Sequence, residues 1–266
     1  MRTAILVVSL VLAAVPAGAA PSDAAALVRK IRDALEPPRA STRKVTIVLN
    51  AVAPQTDVVE LTAGQARKKL PDGRRILTVL LAPENERGIA LLVREADTKP
   101  DVLSVYVPAV RRVRTLVPTE AYQSFLNTDF TYAELGFARQ DASYKIVGRE
   151  ERDGVATTKV EGIPGDQWYY SRFVIWIADD TALPVREEFY DPARTLWKVE
   201  TWGQVTRIDG TPVPLLVRMQ DVRQGGETTE LHVSDVLWDR QLPDDLFEPR
   251  NLADSATSPI WNDAGR

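Results

Sequence analysis

The stretch VYVPAVRRVRTLVPTEAYQSFLNTDFTYAEL occupies residues 105–135. It begins inside an apolar strand, residues 103–107, which breaks at Pro108 because proline has no N–H to give a sheet ladder. The strand resumes with Arg111, Arg112 and Arg114, passes through a helical turn, and ends in a compact aromatic segment, Ser124-Phe125-Leu126-Asn127-Thr128-Asp129-Phe130-Thr131-Tyr132. On a strand, Arg112 and Arg114 share a face and Arg111 points the other way. The run suits two roles: a charged edge that blocks edge-to-edge pairing, or an anion or headgroup site. No catalytic chemistry needs such a pattern.

On both sides of this stretch the apolar residues recur with a period of two. Val45, Ile47, Leu49 and Ala51 alternate with Thr46, Val48 and Asn50, which reads as a half-buried strand. Further strands are expected over residues 58–68, 75–81 and 89–94, with turns at Pro71-Asp72-Gly73 and Pro83 to Gly88. Downstream, residues 144–149 and 156–161 form a hairpin around Asp153-Gly154. Strands over 169–178, 184–190, 196–208, 213–222 and 228–238 follow. That makes about a dozen strands in meander order, with turn signals every 8 to 12 residues. A helix is expected over residues 23–36, where Leu27, Val28, Ile31 and Leu35 form one stripe before Pro37-Pro38 stops it. A helical interruption is expected over about residues 119–137. The expected fold is mainly β (α+β): a single, strongly curved antiparallel sheet whose concave face the helices cover, since an open sheet of so many strands must twist and curl.

The N-terminus has the layout of a cleavable signal peptide over residues 1–19: Arg2, an apolar run from Ala4 to Val15, then the small residues Ala17-Gly18-Ala19. That run is short of the roughly 20 residues a spanning helix needs. The expected destination is therefore the periplasm, as a soluble mature chain. A domain over residues 20–252 and a disordered tail over 253–266 complete the expected layout. Loss of Arg2 takes the formal net charge from −4 to −5, which argues against nucleic acid as a partner. The chain has no cysteine, so thiolate metal sites and cysteine nucleophiles do not arise.

The lone histidine, His232, is out of phase with Leu231 and Val233 and is expected on the solvated face. No serine has the flanks of a nucleophile elbow, and Gly225-Gly226 is a turn without the Lys-Ser/Thr of a phosphate loop. The acidic pairs Asp179-Asp180 and Asp244-Asp245 read as solvated turns. Neither a catalytic residue nor a metal or cofactor site is expected. Trp168, Tyr169, Tyr170, Trp176, Trp197, Trp202 and Trp238 fall on successive strands of the second half. They suit either an ordinary core or the wall of an apolar cavity.

Two segments carry a family resemblance: Tyr106-Val107-Pro108-Ala109-Val110-Arg111-Arg112-Val113-Arg114, and Ser124 to Leu135 with its Thr128-Asp129-Phe130-Thr131-Tyr132 core. They resemble the outer-membrane lipoprotein-sorting (LolA-like) family, in the branch encoded beside RND-type exporters. Val107 stands where leucine is usual, Asn127 where glycine is common, and Thr115 where another basic residue often follows. The resemblance implies an open β-barrel of about eleven strands whose concavity receives acyl chains without covalent chemistry. It further implies lipid or lipoprotein cargo, an inner-membrane RND-type permease and an outer-membrane acceptor as partners, and a monomeric carrier. Tyr106, Phe125, Phe130, Tyr132 and Leu135 become lid or lipid-contact residues. Arg111, Arg112, Arg114 and Asp129 become headgroup or partner contacts. Burial of an acyl chain contributes about 0.8 kcal/mol per methylene, so tight binding would call for an active handover. The same fold also serves a periplasmic regulator, which leaves a regulatory or assembly module as the other reading.

Overall fold

The computed structural model describes residues 23–49, 59–96, 101–135, 142–223 and 228–262. The signal-peptide expectation, the Ala51 end of the first strand, the turn at Gly225-Gly226 and residues 263–266 lie outside them. Thirteen strands form one antiparallel sheet among the described residues. They are β1 (Ser41–Leu49), β2 (Val59–Leu70), β3 (Gly73–Ala82), β4 (Ala90–Arg94), β5 (Val102–Val107), β6 (Arg112–Thr115) and β7 (Ser143–Arg152). Then come β8 (Val155–Ile163), β9 (Arg172–Ala178), β10 (Pro184–Tyr190), β11 (Leu196–Ile208), β12 (Thr211–Asp221) and β13 (Thr228–Trp238). The spatial order is β6-β5-β4-β3-β2-β1-β13-β12-β11-β10-β9-β8-β7, so β1 and β13 close the middle while β6 and β7 remain as edges. Every pairing is sequential except β1 with β13, as expected for a meander whose two arms fold back together.

The first helix, α1 (Asp23–Leu35), buries Ala24, Val28 and Ile31 and packs against β7. The expected central helix is instead two single turns, α2 (Pro118–Ala121) and α3 (Tyr132–Leu135), separated by a hairpin-like turn. The face that carries Val45, Ile47, Leu61, Leu80 and Leu91 packs on Phe125. The face that carries Phe173, Ile175, Ile177 and Phe189 packs on α1 and Phe130. Both arms therefore meet on the same inner segment, and the sheet curves around it.

The opposite face of β2–β4 is also dry. Ala66, Leu77, Val79, Ala90 and Leu92 lie under Leu246, Phe247 and Leu252 of the C-terminal segment. This corrects the expectation of a disordered tail beyond Leu252. Short 3-10 turns run over Pro249–Thr257 and Pro259–Trp261, with Ser255 buried and the Trp261 indole N–H donating to the Ser255 carbonyl at 2.7 Å. The chain reaches this far because strands that are apolar on both faces need a second cover.

Candidate functional site: an inner segment clamped over a cavity

Residues 124–135 form a self-contained turn. The Phe125 N–H donates to the Phe130 carbonyl at 2.8 Å, and Ser124 bridges Thr131. Leu126 and Asn127 both have positive φ, 51° and 61°. Asparagine tolerates that conformation better than most residues, so it can stand where glycine is common. Thr128 Oγ1 donates to the Phe125 carbonyl at 2.6 Å. Thr131 and Glu134 then cap α3 reciprocally: the Thr131 N–H donates to Glu134 Oε2 at 2.7 Å and the Glu134 N–H to Thr131 Oγ1 at 3.2 Å.

The turn is bolted to the inner face of the sheet by polar groups. Lys198 Nζ on β11 lies 3.1 Å from Glu134 Oε2, with the two side chains 6% and 3% exposed, and it also donates to the Asp129 carbonyl at 2.7 Å. The Tyr170 hydroxyl donates to Glu134. Asp129 exchanges two bonds with Thr229 of β13: its N–H donates to Thr229 Oγ1 at 2.9 Å, and that hydroxyl donates to Asp129 Oδ2 at 2.9 Å. None of Glu134, Lys198 or Thr229 stands out in the sequence as a functional residue, and Tyr170 stands out only as one of the second-half aromatics. The only sign was Glu134 three residues after Thr131.

Beneath the segment is a cavity of about 150 Å³. Ile31 and Leu35 of α1, Phe125, Phe130 and Leu135 of the segment, and Val45, Ile47, Ile175 and Leu231 of the sheet supply its apolar wall. Trp202 and Trp238 line it as well, which places two of the seven aromatics in the wall. Tyr122, Trp168, Tyr169, Tyr170 and Trp197 stack on one another beside it instead, with the Tyr122 and Tyr169 rings 4.4 Å apart. Burial pushes the Tyr169 hydroxyl well above the usual phenol range. Trp176 points to the outer face, where Arg152 and Lys159 lie over its ring at 4.4 and 4.5 Å. Pro184, Trp202 and Pro212 also line a wider groove of about 740 Å³, so the cavity borders that groove at the ends of β10–β12.

The expected lid residues divide. Phe125 and Phe130, 2% and 1% exposed, and Leu135 reach the cavity. Tyr132 backs them from behind, its ring edge-on to Phe125 at 5.4 Å. Tyr106 does not belong with them: in β5 it is out of phase with Leu103 and Val105, and it packs on the outer face beneath the C-terminal segment. Asp129 belongs to the clamp and not with the arginines. Arg111 lies outside β6, in a left-handed turn at φ 51° that follows the 3-10 turn Pro108–Val110. Arg112 and Arg114 sit on the β6 edge, exposed, and Arg114 pairs with Glu120. His232 is half exposed, with Nε2 2.8 Å from Glu230 Oε2. The sheet also brings together charged side chains that the period-two reading left unremarked. Arg43, Arg67, Glu187 and Glu200 all line the cavity, and Arg67 is paired with Glu36 at the end of α1.

A family model described as an uncharacterized protein matches residues 72–254. The chain belongs to that family. No curated protein matches it. Among solved structures, an outer membrane lipoprotein-sorting protein domain from Vibrio parahaemolyticus superposes with a TM-score of 0.78 at 21% identity, covering 86% of this chain and 98% of the other. A DUF1329 family protein from Desulfovibrio piger gives 0.76 at 24% identity, covering 85% and 96%. A LolA superfamily protein from Nitrosomonas europaea gives 0.67 at 22%, covering 84% and 96%. The fold is LolA-like. Among the described residues of this LolA-like chain, no helix is long and apolar enough to cross a membrane. Nor does any group of three or more His, Cys, Asp or Glu residues stand where it could hold a metal ion.

Proposed function

We propose that this LolA-like protein is a non-enzymatic periplasmic carrier, exported by its cleavable signal peptide. In this reading it holds lipid or lipidated cargo in the cavity and passes it from an inner-membrane RND-type permease to an outer-membrane acceptor. The single observation that carries this reading is the apolar cavity enclosed between α1, the 124–135 segment and both arms of the sheet. Its volume, about 150 Å³, suits one small ring and falls well short of a long acyl chain. In this reading, cargo larger than that enters when α1 or the clamped segment yields. The exposed strand Arg112–Thr115 is the surface we assign to headgroup or partner contact.

Native mass spectrometry with lipid extraction, on the protein purified from its own periplasm, tests the reading. A bound species of lipid mass is expected. A clean unliganded mass, together with no uptake of a fluorescent fatty acid, would move the assignment to an interaction module that uses the same fold without transport.

A further inference from the structure

Arg43 lies in phase with Val45, Ile47 and Leu49 on β1, so the alternation that points those side chains inward points a guanidinium inward too. It is 7% exposed. Its Nε has no hydrogen-bond partner, and its Nη2 reaches only Ser41 Oγ at 3.5 Å. The remaining neighbour of note is the Trp238 ring, 5.8 Å from Cζ. The other inward-facing cations have partners: Arg67 pairs with Glu36, and Lys198 with Glu134. Burial alone pushes the Arg43 guanidinium down to about 10, with no acidic group acting on it. A buried cation without a counter-charge is costly, and a hydrophobic side chain of the same length would fill the site at no such cost.

The sheet register separates this cation from two of the cavity's carboxyl groups, Glu187 and Glu200, while Glu36 is taken by Arg67 and Glu134 by Lys198. Glu187, Glu200, Met219 and Thr229 form one row across β10–β13. Arg43 sits opposite the part of β13 between Ser234 and Leu237. That is at least five residues further along the strand, roughly 17 Å at about 3.4 Å per residue. The Arg43 end is the end of Pro212 and Val213, beside the bordering groove, and the apolar wall of Val45, Ile47 and Leu231 runs away from it. An anion at this end meets a guanidinium that has no counter-charge. At the other end it would meet two carboxyl groups, which offer it no positive charge.

We propose that Arg43 is the cavity's headgroup receptor, and that the ligand is a single-headed anionic amphiphile whose carboxylate or phosphate pairs with this guanidinium while its alkyl tail lies along the Val45–Ile47–Leu231 wall. This rests on the carrier reading and narrows it to a ligand class. The test titrates laurate, dodecyl phosphate and dodecanol into the exported full-length protein and into its Arg43→Met variant. Wild-type protein is expected to bind at least one of the two anions about tenfold or more tightly than dodecanol. Whichever anion binds tighter distinguishes a carboxylate head from a phosphate head. The variant is expected to lose that preference while its dodecanol affinity stays within about threefold, and to melt no lower than wild type. Three results would overturn the inference: affinities in wild type that follow chain length alone, a variant that weakens all three ligands equally, or a variant with a lowered melting temperature. Absence of binding by all three to wild type would remove the carrier reading together with this inference. Binding without preference would remove only the inference.

Discussion

Lys198 Nζ and Glu134 Oε2 stand 3.1 Å apart in a nearly dry site, on a strand and on an inner segment separated by 64 residues of chain. Neither charge has water to fall back on, so each is compensated by the other and by the hydrogen bonds from Tyr170 and to the Asp129 carbonyl. The pair turns the 124–135 segment from a loop resting on the sheet into a part of it.

Removing one member leaves a buried charge without its partner, which typically costs about 3–5 kcal/mol. Lys198→Met alone is expected to lower the unfolding free energy in urea titration by that order, and Glu134→Gln combined with Lys198→Met to recover more than half of the loss. Additive losses in the double variant would show that the two side chains do not act as a pair.

Phe130 is 1% exposed and joins α1 to the second arm of the sheet. Truncation to alanine removes its buried ring and leaves a cavity, at about 3–5 kcal/mol. Phe130→Asp is expected to abolish lipid retention, but it also buries a carboxylate and so loses stability. Phe130→Leu is the cleaner variant, expected to keep the fold and to lower lipid affinity. Lipid binding by a folded Phe130→Leu protein that matches wild type would remove Phe130 from the contact set.

On the outer face, a Cβ added at Gly64 would come within 2.6 Å of the Trp261 ring. Gly64→Ala should therefore unseat the C-terminal cover. The expected readout is red-shifted tryptophan fluorescence and faster proteolysis near residue 258, both relieved when Trp261→Ala is added. Unchanged proteolysis would mean that the ring shifts aside at little cost.

Asp101 provides a pH signature. Burial, and then the neighbouring Glu95, push its carboxyl up to about 7. Because the folded-state value lies above the unfolded one, this group's contribution is fully present below the ordinary carboxylate range near 3.9 and is lost as pH rises through about 7. Asp101→Asn is expected to leave stability at pH 4 nearly unchanged and to raise it at pH 7.5. Equal effects at the two values, checked by denaturant titration, would contradict the assignment.

The arginine edge should behave as a surface. Charge reversal of Arg111 and Arg112 is expected to change stability by no more than about 0.5 kcal/mol, since neither is buried. Arg114 adds at most about 1 kcal/mol through its exposed pair with Glu120. If the strand contacts anionic headgroups, the reversal weakens flotation with anionic vesicles at low salt. Equal flotation of both forms would leave the strand with the edge-protecting role alone.

The period-two runs, the stripe on the first helix and the turn residues were enough to place nearly every strand and to establish a single antiparallel sheet. Those features depend on neighbours in the chain, and residues 105–135 carried the resemblance to the LolA-like family as a local pattern. Alternation sorts side chains onto two faces but does not say which face is enclosed. Tyr106 turned outward for that reason, and Arg43 turned inward with Val45 and Ile47. In β3 and β4 both faces are buried, because residues far along the chain, Phe247 and Leu252, cover the outer one. The pairing of β1 with β13 brings Thr229 to Asp129, and the curvature of the sheet brings Lys198 to Glu134. Contacts between residues 64 and 100 positions apart leave no periodic trace, so the clamp, the cavity and its unpaired cation exist only once the sheet has closed around the inner segment.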